Sequence, residues 1–178
     1  MQILIIGINH QIQPVQIKSA SSDGKAEEFE RDQKERFGAL LRTEIQKRGV
    51  QLVAEEALHG EETVTGRVCQ IEKCKYANVE MTPEERASRN IPAGYNEDIP
   101  NLSEDEKERC NREREEHVVT KTLAAAGDAN SVIMVCGRFH TNRLATLFHD
   151  RGHTVQTTDL QNQPWYIEDW TMHIMLNL

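Results

Sequence analysis

Two apolar runs of strand length limit the fold of this 178-residue chain more than its other features do. One run, VIMVC at residues 132–136, is followed by Gly137 and, three residues later, by His140. The other, at residues 2–7, also ends in glycine and is followed three residues later by His10. Apolar runs without polar alternation are typical of strands covered on both faces, as in a parallel sheet between two layers of helices.

A long helical pattern lies between the first of these strands and the next apolar run. Apolar residues keep helical spacing within residues 25–48, and Gly49 is suited to end the helix. Residues 50–54 then form a short apolar run. A helix between two buried strands is the βαβ pattern, which predicts a parallel pair of strands joined by a right-handed crossover.

Capping boxes mark two further helix starts, because Thr82 and Ser103 are each followed by glutamate three residues later. Another helix is expected from Thr141, and residues 61–74 fit either a short helix or a turn. The remaining strands are predicted at residues 76–81, 131–136 and 153–158, the last as an edge strand. The sequence therefore predicts an α/β fold with a mostly parallel central sheet of about five strands and helices on both faces.

The length fits a single domain over residues 1–178, because domains commonly contain ~100–200 residues. Residues 90–126 are predicted to form a loop plus a charged helical arm or lid, since the helical pattern there begins EDEKERCNREREEH. Residues 161–178 include Trp165 and Trp170 and are too apolar for a free tail. We expect this aromatic tail to pack on the body or on another subunit, and the second arrangement would give a homo-oligomer.

The composition argues against two classes of partner. A net charge of −8 disfavours a duplex nucleic-acid binder, which needs a basic face to displace counterions. No apolar run approaches the ~20 residues that span a bilayer, so no membrane partner is expected and the predicted location is cytoplasmic. In that compartment the four cysteines need not form disulfides.

Ionisable side chains follow the predicted strands. His10 follows the first strand, Glu55 and Glu56 follow the second, and Arg138 and His140 follow the fourth. The carboxyl ends of parallel strands meet at one edge of a sheet, where ligands usually bind, so we expect these side chains to converge. We take the two histidines and the two glutamates as candidate catalytic residues and Arg138 as a candidate substrate-binding residue.

The predicted local structure indicates a chemistry for these residues. His140 lies near a predicted helix N-terminus, whose dipole disfavours the imidazolium, and a neutral imidazole can act as a base or bind a metal. Successive side chains of a strand point to opposite faces, so only one of Glu55 and Glu56 is expected to reach the site. The residues themselves do not decide which one does.

The order Gly-x-x-His at residues 7–10, Glu-Glu at 55–56 and Gly-x-x-His at 137–140 resembles the TraB/TIKI, ChaN and erythromycin-esterase group of α/β proteins. Characterised members of that group include metal-dependent proteases, an esterase and haem-binding proteins. The resemblance implies that His10, His140 and one glutamate line a hydrolytic or ligand-binding cleft.

Two functions are therefore predicted. The first is a small α/β hydrolase, with or without a divalent metal ion bound by His10 and His140, acting on a small-molecule or peptide substrate whose anionic part binds Arg138. The alternative is a non-catalytic ligand-binding or protein-interaction module that uses residues 90–102, the charged helix and the aromatic tail.

Overall fold

Five strands and five α-helices form the described part of the chain, which in this computed structural model comprises residues 1–18, 24–92 and 102–167. The strands are β1 (Gln2–Ile8), β2 (Leu52–Glu55), β3 (Lys75–Asn78), β4 (Ser131–Gly137) and β5 (Thr154–Asp159). The helices are α1 (Lys25–Arg48), α2 (Val64–Glu72), α3 (Pro83–Ser88), α4 (Glu104–Ala126) and α5 (Thr141–Asp150).

The strands form one sheet in the order β3-β2-β4-β1-β5, and every pair of neighbours is parallel. The predicted α/β class and parallel sheet are confirmed, and β5 is an edge strand as predicted. In the register, Gly7 lies opposite Cys136 on one side and Asp159 on the other, while Glu55 lies opposite Val135. The carboxyl ends of β2, β4 and β1 are therefore neighbours at one edge of the sheet.

The core has one layer on each face of this sheet. On one face, Phe37 and Leu41 of α1 and Val68 of α2 pack against β1, β2 and β4. On the other, Val118 of α4 and Phe148 of α5 pack against the same strands. Since both faces are covered, continuous apolar runs are required in the central strands, which is the pattern that the sequence shows.

The helix boundaries follow from local chemistry. Gly49 ends α1 in the left-handed conformation with φ of 59°, which costs little without a Cβ. Thr82 and Ser103 both form complete capping boxes, with Glu85 and Glu106 as their partners, so the predicted starts of α3 and α4 are confirmed. In the segment that allowed either a helix or a turn, α2 forms.

Strand β3 is shorter than the predicted strand at residues 76–81. Asn78 ends it, because its side-chain amide donates to the carbonyl of Ala57 at 2.8 Å and its side-chain oxygen accepts from the backbone N–H of Glu80 at 3.0 Å. These bonds turn the chain out of the sheet and place Glu80 beyond the strand end.

The aromatic tail packs on the body as far as it is described. The rings of Trp165 and Tyr166 meet edge to face with centroids 6.1 Å apart, and Tyr166 is 9% exposed against the α1 layer of the core. Residues 168–178, with Trp170, and residues 93–101 of the predicted loop lie outside the described residues. Within the described ranges, no helix combines the length and apolarity needed to cross a bilayer.

Candidate functional site

The candidate residues meet where the chain leaves β1 and β4. From β1 the chain passes to α1 on one face, whereas from β4 it passes to α5 on the opposite face. Neighbouring strands whose connections diverge in this way open a crevice between their carboxyl ends, the usual ligand site of open parallel sheets. Both Gly-x-x-His units lie here, and each ends in a single 3-10 turn, at His10–Ile12 and Arg138–His140.

Gly137, the last residue of β4, is the position where the two predicted histidines meet. A Cβ atom on Gly137 would stand 2.6 Å from Nε2 of His10 and 3.4 Å from Cδ2 of His140. The first distance is shorter than real Cβ contacts, so a side chain at this position would displace the ring of His10. The structure therefore brings the two histidines together and gives Gly137 a steric reason to be glycine.

Glu56 is the glutamate that reaches this position. Its Oε2 lies 3.4 Å from the backbone nitrogen of Gly137, and its Oε1 accepts from Arg114 of α4 at 2.8 Å. Arg114 also donates to Glu80 at 3.0 Å, and Arg86 donates to Glu80 at 2.9 Å. Burial opposes the ionisation of Glu80, but the charges of both arginines outweigh it and place the pKa of Glu80 below its usual value. Glu56 is thus one carboxylate of a buried ionic network.

Glu55 points to the opposite face and is fully enclosed by protein. Its carboxylate accepts hydrogen bonds from Thr63 at 2.7 Å, Thr65 at 2.7 Å, Tyr76 at 2.8 Å and the side-chain amide of Gln13 at 3.2 Å. Burial raises the pKa of Glu55, and the four hydrogen bonds partly offset that effect. Glu55 is 0% exposed, and Gln13 links its carboxylate to His10 at the crevice.

Gln13 fixes the protonation pattern of His10. The side-chain nitrogen of Gln13 donates to Glu55 and, at 2.8 Å, to the carbonyl of Glu56, so its oxygen faces Nδ1 of His10 at 2.7 Å. An amide oxygen only accepts hydrogen bonds, and Nδ1 must therefore carry the hydrogen. The Nε2 atom of a neutral His10 then keeps its lone pair on the side that faces Gly137.

His140 differs from His10 in having a carboxylate as its partner. Its Nδ1 lies 3.0 Å from Oε1 of Glu115 on α4, and the other oxygen of Glu115 lies 3.0 Å from Nε of Arg143. Burial by itself lowers the pKa of His140, but the bond to Glu115 and the nearby charge of Glu56 outweigh burial, and the pKa is raised. The helix dipole led us to expect a neutral imidazole at His140. That expectation is wrong, because Glu115 favours the cation.

Arg138 lies above the end of β1. A Cβ atom on Gly7 would stand 3.1 Å from Cα of Arg138 and 2.6 Å from Oγ1 of Thr141, so glycine at this position makes room for the 138–140 turn. The guanidinium of Arg138 packs over the ring of Phe139, 4.5 Å from its centroid.

The predicted divalent-metal site gains no support from this geometry. Across residues 1–18, 24–92 and 102–167, no group of three or more His, Cys, Asp or Glu is arranged to hold a metal ion. Gln13 and Glu115 engage the Nδ1 atoms of His10 and His140. Each ring therefore has only Nε2 to offer, and protein metal sites normally use three or four ligands.

Several residues of the site were missed from the sequence. Gln13 gave a weak signal, since it follows His10 by three residues in a turn. Arg114 and Glu115 lie within a run of charged residues on α4, where nothing in the sequence separates them from exposed neighbours. They are 9% and 4% exposed because Arg114 packs against Glu56 and Glu80, and Glu115 packs against His140 and Arg143.

Comparison of the chain with protein-family models, with curated proteins and with solved structures finds no match. Inference about function therefore rests on the chemistry of the crevice.

Proposed function

We propose that this protein is a small α/β hydrolase that cleaves an ester by acid–base catalysis with His10 and His140. The observation that carries the proposal is the packing of both imidazoles around Gly137 with unlike partners, an amide for His10 and a carboxylate for His140. The amide oxygen of Gln13 engages Nδ1 of the first ring and leaves Nε2 toward Gly137 to accept a proton, whereas the carboxylate of Glu115 favours the protonated second ring.

The proposed reaction begins with water bound between the two rings. Nε2 of His10 takes a proton from this water, and the oxygen attacks the carbonyl or phosphoryl centre of the ester. The bond to the leaving oxygen then breaks, and that oxygen takes a proton from Nε2 of His140. Exchange with solvent removes the proton gained by His10 and restores the one lost by His140, so the cycle balances.

Acidic side chains around the crevice have supporting roles in this proposal. Glu55 orients His10 through Gln13, while Glu115 orients His140 and favours its charged form. Glu56 is held by Arg114 close to Gly137 and favours the cationic His140 electrostatically. The resemblance to a group that includes an esterase agrees with this assignment, although the proposed mechanism uses no metal.

The test is hydrolysis of p-nitrophenyl acetate, p-nitrophenyl phosphate and bis-p-nitrophenyl phosphate by the full chain, with and without EDTA. We expect turnover of at least one ester that EDTA does not reduce. His10→Ala should lower kcat by ~10²–10⁴-fold on the p-nitrophenyl esters, the usual contribution of a general base. The role of His140 is tested on ethyl acetate, because its alkoxide leaving group needs a proton whereas p-nitrophenolate does not. On that ester His140→Ala should cause a similar loss, and kcat should decline as the pH rises through the raised pKa of His140.

His149→Ala is the matched control, since its side chain is 80% exposed at the end of α5 and lies outside the crevice. This variant should retain the wild-type rate. The proposal fails if no ester in the panel shows histidine-dependent hydrolysis, or if EDTA abolishes the activity.

The alternative is a non-catalytic ligand-binding or protein-interaction module that uses residues 90–102, the charged helix and the aromatic tail. A chain that lacks residues 161–178 would then lose partner binding or oligomerisation, whereas the two histidine variants would have little effect. The described part of the aromatic tail packs on its own chain, so it supports the alternative no more than the hydrolase.

A further inference from the structure

A polar cavity of about 340 Å³ lies beside the 138–140 turn, over the carboxyl ends of β1 and β5. Three threonines, two asparagines, Arg138 and Asp159 line it, and none of these described residues has a predominantly apolar side chain. Pockets for small molecules commonly measure ~300–1,000 Å³ and are mostly apolar, so this one is small and unusually rich in hydrogen-bonding groups.

The charges of the lining balance. Arg138 contributes one positive charge and Asp159 one negative charge, and the other lining residues are hydroxyls and amides. Such groups both donate and accept, which suits a ligand that carries many hydroxyl groups. A ligand with a strong net charge of either sign would face one of the two ionic side chains with a like charge.

We propose that this cavity binds a neutral, polyhydroxylated small molecule of monosaccharide size, as the alcohol part of the ester. The carboxylate of Asp159 accepts from hydroxyls of the ligand, and Thr158 and Arg138 bond to others. As an assignment of the substrate class the proposal rests on the hydrolase function proposed above, but the binding can be measured without catalysis.

The cavity and the histidine pair share one short segment of chain. Arg138 and Thr141 line the cavity, and His140 lies between them. Gly137, on which both imidazoles pack, directly precedes Arg138. An ester of a bound polyol could therefore extend along the 138–140 turn toward the crevice.

The test is an NMR titration of the full chain with ribose, ribose 5-phosphate and inorganic phosphate. Ribose should bind in the millimolar range or more tightly and shift amides of residues 157–162. The variant that carries both His10→Ala and His140→Ala should bind ribose with the same Kd as wild type. Sugar binding can therefore fail while hydrolysis persists, or persist while hydrolysis fails.

Two lining variants probe the contacts. Thr158→Val keeps the shape of the side chain and should weaken ribose binding about fivefold, the effect of one lost neutral hydrogen bond. Asp159→Asn retains a side-chain oxygen for the backbone N–H of Gln161, now 2.9 Å from Oδ1. It removes the negative charge, so it should weaken ribose and strengthen ribose 5-phosphate. Asp150→Asn, exposed at the end of α5, is the control and should change neither affinity.

Three outcomes would overturn the inference: no binding of ribose by wild type, amide shifts that map away from the cavity, or inorganic phosphate that binds more tightly than ribose. The last outcome would instead assign an anion site to Arg138.

Discussion

At the scale of single residues, Gly137 is the most informative position, because its lack of a side chain lets two imidazoles approach the same point. A methyl group there would stand 2.6 Å from Nε2 of His10, which is the far end of a side chain that can rotate away into solvent. The backbone at Gly137 has φ of −56°, which alanine adopts without strain. Steric displacement of His10 is therefore separable from loss of folding.

We predict that Gly137→Ala folds with a loss in unfolding free energy of no more than about 1 kcal/mol, within the ordinary range for point variants. The same variant should lose most of the proposed ester hydrolysis, because His10 can no longer face Gly137. Denaturant unfolding and ester hydrolysis measure the two effects.

Gly38→Ala, inside α1, is the matched control. A Cβ atom at this position would meet the side chains of Val64 and Val68 of α2 at ordinary distances of 3.5 and 3.6 Å. This variant should keep full activity and gain up to about 1 kcal/mol from improved helix propensity. Wild-type activity in Gly137→Ala would contradict the proposed geometry.

At the scale of elements, α4 connects the charge network to the crevice. Its first turn is exposed, but further along the helix Arg114, Glu115 and His117 are buried against strand ends and α3. Arg114 bridges Glu56 and Glu80, and Glu115 binds His140, so the same stretch of helix stabilises the fold and sets the charge of the site.

We predict that Arg114→Met destabilises the protein by about 3–5 kcal/mol, because it leaves the buried carboxylate of Glu56 without its cation. Glu80 keeps its ion pair with Arg86, so the loss of unfolding free energy comes mainly from Glu56. Thermal or denaturant unfolding at neutral pH gives the comparison. Arg112→Met, an exposed position on the same helix, should change the unfolding free energy by less than about 0.5 kcal/mol. Equal changes in unfolding free energy for the two substitutions would contradict a stabilising role of the buried ionic network.

At the scale of the whole molecule, residues 163–167 connect helix α1 to the first Gly-x-x-His unit. Gln33, buried on α1, donates to the carbonyl of Trp165 at 2.7 Å and accepts from the backbone N–H of Ile167 at 3.2 Å. The hydroxyl of Tyr166 accepts from the backbone N–H of Asn9 at 3.0 Å. The segment therefore contacts both the core and the residue that precedes His10.

We predict that a chain ending at Asn162 is less stable than one ending at Ile167 by about 3 kcal/mol or more, the range for removing a buried aromatic side chain. Both chains lack residues 168–178, so the difference reports on residues 163–167 alone. The shorter chain should also lose activity, since Asn9 loses its bond to Tyr166. Denaturant unfolding of the two chains measures the first effect, and equal stabilities would contradict the role given to this segment.

The sequence by itself determined the layered α/β fold, because apolar runs of strand length and the helical patterns between them are local signals that reflect burial directly. It also determined that His10, Arg138 and His140 follow strand ends. Only the tertiary structure decided that β1 and β4 are neighbours, that Glu56 rather than Glu55 faces Gly137, and that Gln13 and Glu115 are the partners of the two histidines. These facts depend on strand order, on the face to which each side chain points and on how α4 packs, and residues far apart in the chain set all three. The tertiary structure also decided the charge preference of His140. The local helix dipole favours a neutral ring, but Glu115, 25 residues away in sequence, reverses that preference.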